Sequence, residues 1–214
     1  MDVAARESVT EAFARAAQEV GAPRTLIHAA GAADPDYFEN LDERRFRTLL
    51  ETNLTGCWNV LQEGVALIRT EVERPSFILT LSSQAGLIPA FGYTAYGATK
   101  FGVHGLTLAL RQELYREQIY ASVLAPPDVD TPQLLLESAT KPPETRRLSR
   151  ETPLKPEFVA RYAVKELYKK RSVIVPGLQT RLECLAYRIA PRLGDRIMQR
   201  MIKGVTRGEK DHTR

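Results

Sequence analysis

Cysteine is scarce. Cys57 and Cys184 are the only two in 214 residues, far apart and outside any metal-type spacing. That excludes a disulfide framework and fits a reducing compartment. The three histidines, His28, His104 and His212, are scattered, so no metal site is predicted. No apolar run approaches the ~20 residues needed to span a bilayer. The opening residues, Met1-Asp2-Val3-Ala4-Ala5-Arg6-Glu7, lack the charged-then-apolar pattern of a secretory signal. Internal repeats and low-complexity tracts are also missing. These absences leave a cytoplasmic globular protein as the expectation. Hydrophobic residues at 43% and charged residues at 26% are ordinary for such a protein, and the length suits one domain.

The net charge of +4 is unevenly spread. From Arg181 to Arg214 there are nine Lys/Arg against four Asp/Glu, so the remainder is close to neutral. A basic end on a near-neutral body points to an acidic surface partner, not to a wholly nucleic-acid-binding fold; no nucleic acid is expected.

Strand and helix patterns alternate along the chain. Residues 5–20 read as a helix with Val9, Phe13, Ala16 and Val20 on one face and Gly21 as its stop. A short apolar strand follows at Thr25–Ala29. Residues 42–74 are helical with Phe46, Leu49, Leu50, Leu54 and Trp58 inward, irregular near Asn53–Gly56. Ser76–Ser82 is a buried strand, Tyr93–Glu117 a long helix, and Ile119–Ala125 another strand closed by Pro126-Pro127. The Pro- and charge-rich segment 133–155 reads as a loop or lid. A helix over 157–170 and a strand over 172–175 complete the pattern. Near-continuous apolar strands separated by helices imply parallel strands covered on both faces, a doubly wound α/β sheet.

Tyr96 and Lys100 stand four apart on the predicted long helix, so both side chains leave the same face. A carbonyl that accepts hydride becomes an alkoxide and needs a proton. A tyrosine of ordinary pKa, ~10, is a poor acid–base at neutral pH. An adjacent ammonium stabilises the phenolate and brings it toward the working range, and can also hold a cofactor ribose. The pair alone is weak, because eight tyrosines and eight lysines give about 0.3 chance matches in a chain of this length. Ser83 adds weight: it lies thirteen residues before Tyr96 at the end of a buried strand, where ligand-facing residues of such sheets gather. Its hydroxyl can hold a carbonyl and the developing oxyanion. The alternative is that Ser82 and Ser83 are strand-end turn residues.

The stretch Leu81-Ser82-Ser83-Gln84-Ala85-Gly86, with Tyr93-Thr94-Ala95-Tyr96-Gly97-Ala98-Thr99-Lys100, resembles the active-site signature of short-chain dehydrogenases/reductases. The resemblance covers most of the chain to about residue 177. It implies an incomplete Rossmann-type domain over 1–178 and a carbonyl reductase in which Ser83 positions the carbonyl, Tyr96 is the general acid–base and Lys100 tunes it. By the same resemblance Asn53 sits at a helix kink and orders a proton-relay water. Ala29, Ala30 and Gly31, after a histidine where the family has asparagine, lie beside the cofactor, as do Asp2, Val3, Pro126, Pro127 and Thr131. Three strings, Phe91–Tyr96, Pro126–Pro132 and Thr140–Arg146, are similar to the 3-ketodihydrosphingosine (3-ketosphinganine) reductase branch. That implies NADPH as cofactor, a lipid ketone as substrate and a place in sphingolipid biosynthesis. Gln84, Phe91, Tyr93, Asp128 and Asp130 are then candidate substrate contacts. Asp128 and Asp130 could face a substrate ammonium or cap the segment that follows.

The family's Gly-rich phosphate turn, Thr-Gly-x-x-x-Gly-x-Gly, does not occur in this sequence. Such glycines let the backbone approach a pyrophosphate at a helix N-terminus, so weak cofactor affinity is expected. The strand at Thr25–Ala29 would expose an open apolar edge, and a longer native product is expected. The tail over 179–214 reads as a basic amphipathic helix. Leu182, Leu185, Ile189, Leu193, Ile197 and Met201 keep helical spacing, Arg188, Arg192, Arg196, Arg200 and Lys203 lie elsewhere on the wheel, and Pro191 breaks or kinks it. It could lie on the cytoplasmic face of an anionic membrane or pack on the core or a dimer mate. The family resemblance also implies a homodimer or homotetramer built on the two long helices. Alternatives to the sphingoid reading are a reductase of a 3-oxoacyl thioester or steroid, and an inactive module serving assembly or membrane contact.

Overall fold

The computed structural model describes residues 1–70, 75–149 and 152–211, with side chains described through 204. Residues 71–74 of the expected helix over 42–74, 150 and 151 of the expected lid, and 212–214 of the expected tail lie outside the described residues.

Four parallel strands, β1 (Thr25–His28), β2 (Ser76–Leu81), β3 (Ile119–Leu124) and β4 (Val173–Ile174), form one sheet in the order β1-β2-β3-β4. Their apolar runs are covered on both sides. On one face α3 (Gly56–Arg69) and α4 (Thr94–Leu114) pack Cys57, Leu61, Val65, Ile68 and Val103 against Ile78, Ile119 and Ala121. On the other, α7 (Pro156–Tyr168) sets Val159, Ala163 and Leu167 against Phe77, Leu79 and Leu124. Alternate residues of β2 therefore serve opposite layers, as the period of a strand requires. The helix α1 (Arg6–Val20) seats Val9 beside Val3 and Val60. It ends at Gly21, whose φ of 74° suits a residue without a Cβ. Val20, expected to face inward, is exposed at the last position of the helix.

The expected edge is present: β1 pairs with β2 and has no other strand partner among the described residues, and Ile27 is 50% exposed. The helix expected over 42–74 is three pieces. These are α2 (Glu43–Leu49), capped by Asp42 through Arg45 N, then a π-helical stretch over Leu50–Thr55, then α3. The π turn changes which residues face inward. Trp58, expected in the core and lying after the π turn, is exposed, and Cys57, Val60 and Leu61 are buried instead; Phe46, before the turn and also expected inward, is exposed as well. Trp58 and Phe101 thus lie on the open surface of α3 and α4.

The segment expected to be a loop or lid holds two helices, α5 (Pro132–Thr140) and α6 (Pro143–Leu148). Each begins with proline in its first turn, where the missing N–H is no loss and the fixed φ suits the helix. After β4 the tail forms α8 (Leu178–Ile189) and α9 (Pro191–Asp211), separated at Ala190-Pro191 as Pro191 led one to expect. No described helix is long and apolar enough to cross a membrane.

Candidate active site

The site grows from the C-terminal ends of β2 and β3. After β2 the chain turns at Ser82-Ser83, and Gln84 N donates to Pro126 O at 2.8 Å, tying this turn to the one after β3. Ser82 Oγ donates to Lys100 O at 2.8 Å, fixing the turn against α4. Gly86 completes the join, since a Cβ there would come within 2.7 Å of Lys100 O and would meet Ser82 Oγ. Two strand ends and the first turns of α4 are thereby locked together, and Ser83 faces α4. Its hydroxyl accepts from Ala85 N at 3.1 Å.

Ser83, Tyr96 and Lys100 line one cavity of about 1100 Å³. Tyr96 and Lys100 are both buried on α4, and Lys100 Nζ lies 5.4 Å from the Tyr96 ring centroid. Lys100 Nζ donates to Leu81 O at 3.0 Å. Burial pushes its pKa down to about 8, with the Cys57 thiol and Glu137 pulling the other way. The Tyr96 phenol is held above its ordinary range, chiefly by burial; Glu137 and Asp128 push it further, and a hydrogen bond with Ser83 opposes them. This reverses the sequence expectation that Lys100 brings the phenol down. Burial, which disfavours the phenolate, decides the direction.

Of the other expected site residues, Ala29, Gly31, Gln84, Phe91, Tyr93, Pro126, Pro127, Asp128 and Thr131 also line the cavity. Asp2, Val3, Ala30, Asn53 and Asp130 do not. Val3 packs with Val9 and Val60, and its carbonyl accepts from Asn59 Nδ2 at 3.0 Å, while Asp2 Oδ1 accepts from Ala4 N at 3.0 Å. Asp130 enters the backbone pairing with Leu154. Thr131 holds the position before α5, but its hydroxyl donates to Val129 O at 3.3 Å instead of capping the helix. Asn53 is buried in the π turn. Its Nδ2 donates to Ala32 O (2.8 Å) and Thr99 Oγ1 (3.0 Å) and its Oδ1 accepts from Ala32 N (2.8 Å), so the side chain acts as a clamp between β1's exit and α4. His28, at the end of β1, is buried with its Nε2 unpartnered among the described residues. Burial, and then Lys100, lower its pKa to about 4, so it is neutral.

Several cavity residues escaped the sequence. Glu137 on α5 is 8% exposed and accepts from Tyr93 Oη at 2.6 Å. Thr145 on α6 donates to Phe91 O at 2.9 Å, so α5 and α6 clasp the segment that leads into α4. From the tail, Glu183, Ala186, Leu193, Ile197 and Met201 form the far wall. The Gln84 amide donates to Glu183 Oε2 at 2.8 Å, fastening α8 beside Ser83. The proline-initiated helices at Pro132 and Pro143 were the available signal that the charged segment was ordered.

Residues 1–141 match the short chain dehydrogenase family. A mouse protein named 3-ketodihydrosphingosine reductase is 37% identical over 159 residues, 74% of this chain and 47% of the mouse protein. A zebrafish (Danio rerio) protein named 3-dehydrosphinganine reductase is 37% identical over 168 residues, 78% of this chain and 50% of the zebrafish protein. The chain thus spans about half the length of the curated relatives it matches. A solved short chain dehydrogenase from Mycobacterium paratuberculosis bound to NAD has a TM-score of 0.71 at 24% identity, covering 82% of this chain and 70% of that one.

The buried ammonium makes stability depend on pH. The folded pKa of Lys100, about 8, lies below the ordinary 10.5. Below about 8 the penalty for burying the charge is fully present. Between the two values the unfolded chain binds more protons, so stability rises with pH. Lys100→Met removes this term, whereas the lost bond to Leu81 O adds a pH-independent difference. Urea denaturation of both proteins from about pH 7 to about pH 10 should shift the difference in favour of wild type by on the order of 1–3 kcal/mol. A pH-independent difference would contradict the burial of a titrating ammonium.

Proposed function

The chain belongs to the short-chain dehydrogenase family, and on that footing we propose that it is an NADPH-dependent carbonyl reductase of a long-chain lipid ketone, 3-ketosphinganine in particular. One observation carries the reading: the cavity that holds Ser83, Tyr96 and Lys100 continues into an apolar trough. Leu193, Ile197 and Met201, one turn apart on α9 and about half exposed, line that trough together with Ile88, Val159 and Ala163. A ketone seated at Tyr96 can lay an alkyl chain along α9, and each buried methylene contributes about 0.8 kcal/mol. The names of the mouse and zebrafish relatives support the sphingoid ketone.

The residues present fit the nicotinamide-ribose end of a dinucleotide. At Gly31 a Cβ would sit 3.2 Å from Lys100 Nζ and 3.3 Å from Asn53 Oδ1, so glycine leaves a notch open beside the ammonium. Lys100 directs one donor to Leu81 O, and the remaining two suit ribose hydroxyls. When bound, the nucleotide supplies the hydride. Ser83 Oγ donates to the substrate carbonyl, and Tyr96 delivers its phenolic proton to the nascent alkoxide. Lys100 stabilises the phenolate left behind. The Asn53 clamp on Ala32 and Thr99 keeps Gly31 and α4 in register.

The tail also gives the lipid a route. Its apolar α9 stripe faces the cavity, while Leu182 and Leu185 of α8 are exposed outward near Arg181 and Arg188. We place this hairpin on the anionic cytoplasmic surface of a membrane, where basic side chains and exposed leucines act together.

Two measurements check these assignments. With 3-ketosphinganine, Tyr96→Phe should lower kcat by about 100-fold or more while ketone binding persists, and wild type should turn over faster with NADPH than NADH; unchanged turnover in the variant rules out Tyr96 as the proton donor. Removing residues 178–214 should abolish sedimentation with phosphatidylserine vesicles at low salt, and full retention would reject the membrane contact.

A further inference from the structure

The charged side chains that line the cavity are Lys100, Asp128, Glu137 and Glu183. Apart from the lysine beside Tyr96, every one is a carboxylate, and no arginine lines the wall among the described residues. In walls that are otherwise mostly apolar, three carboxylates favour a cation and disfavour an anion, and low local dielectric strengthens the preference. Glu183 is already held by the Gln84 and Gln179 amides at 2.8 Å each. Asp128 belongs to the turn that pairs with Leu154.

Glu137 differs from both. It is buried and held by short bonds, 2.6 Å from Tyr93 Oη and 2.9 Å from Gln133 Nε2. Its Oε2 also forms an ion pair with the buried Lys141 Nζ at 3.7 Å, longer than the 2.7–2.9 Å of a direct charged hydrogen bond, so a substrate ammonium would share this carboxylate with Lys141. A carboxylate offers about four lone-pair sites, more than the bonds from Tyr93 and Gln133 take up, and Glu137 lines the cavity. The Tyr93 ring that holds it lies 5.5 Å from the Tyr96 ring, centroid to centroid. The carboxylate is therefore one tyrosine away from the hydroxyl that meets the ketone, and its charge is felt at that hydroxyl.

We propose that Glu137 is the specificity-determining residue of the site, binding an ammonium carried next to the substrate carbonyl and so selecting amino ketones over neutral or anionic ones. The proposal rests on the lipid-ketone reading above and names the group that reads the substrate's head. Gln133 and Tyr93 fix the carboxylate in place before binding, so little ordering is required when the ammonium arrives. Neutralising Glu137 in this way also removes part of the charge that keeps the Tyr96 proton on its oxygen, so the amine that is recognised assists the transfer.

Calorimetric titration of the whole chain with 3-ketosphinganine and with its des-amino analogue separates the possibilities. Wild type is expected to bind the amine-bearing ketone about 10- to 100-fold more tightly. Glu137→Gln, which preserves shape, should weaken that ligand by about the same factor and leave the des-amino ketone unchanged. Equal wild-type affinities would overturn the role of Glu137 and leave the lipid-ketone reading standing; equal losses of both ligands in the variant would do the same by marking a packing role. Binding of neither ketone to wild type would overturn both.

Discussion

The removal of water from a phenol and an ammonium on one face of α4 governs the rest of the molecule. Tyr96 and Lys100 are both buried, and each is displaced from its ordinary titration in the direction that disfavours its charged form. Such a pair is unfavourable to fold around. The surroundings hold it through many bonds: Ser82 to the Lys100 carbonyl, Lys100 to the Leu81 carbonyl, and Asn53 to Thr99 one residue before Lys100. Buried polar groups are kept where their partners are supplied, and these partners come from two separate places, the end of β2 and the π turn over Leu50–Thr55. In exchange, a protonated phenol waits at neutral pH beside a hydroxyl that can orient a carbonyl.

The sheet and the covering helices divide this work. Parallel strands bring their C-terminal ends to one edge, where ligand-facing turns gather. Gln84 and Pro126 join two of these turns, and Gly86 allows the first to touch α4. Above them, α5 and α6 grip the entrance to α4 through Glu137–Tyr93 and Thr145–Phe91, while α8 grips Ser83's neighbour through Glu183. The lid and tail are thus bonded to the segments that carry the reacting groups. The far wall of the cavity and Glu137 thus come from elements outside the sheet, whereas Ser83, Tyr96 and Lys100 come from α4 and the strand ends.

Much of the fold was legible because it rests on local rules. Apolar runs marked β1, β2 and β3, Gly21 and Pro191 marked helix ends, and the Ser83–Tyr96–Lys100 spacing brought the three groups to one cavity. What failed depended on non-local facts. Helical periodicity carried from Phe46 to Trp58 put tryptophan inside, but a π turn over Leu50–Thr55 adds a residue and rotates the following helix by about 100°, so Cys57 is buried instead. Proline and charge made 133–155 read as a loop, although Pro132 and Pro143 open helices. Asp130, a candidate substrate contact in the sequence, lies outside the cavity lining, its backbone paired with Leu154. The direction of the Tyr96 shift could not be read from its distance in sequence to a lysine, because burial by elements far along the chain decides it.

Tyr96 is buried and its phenol is held above its ordinary range. Difference ultraviolet titration of wild type against Tyr96→Phe isolates the tyrosinate signal of this one phenol. The expected result is a missing step above the ordinary tyrosine value of ~10. A step below that value would show a solvated or cation-dominated phenol and would contradict the claim.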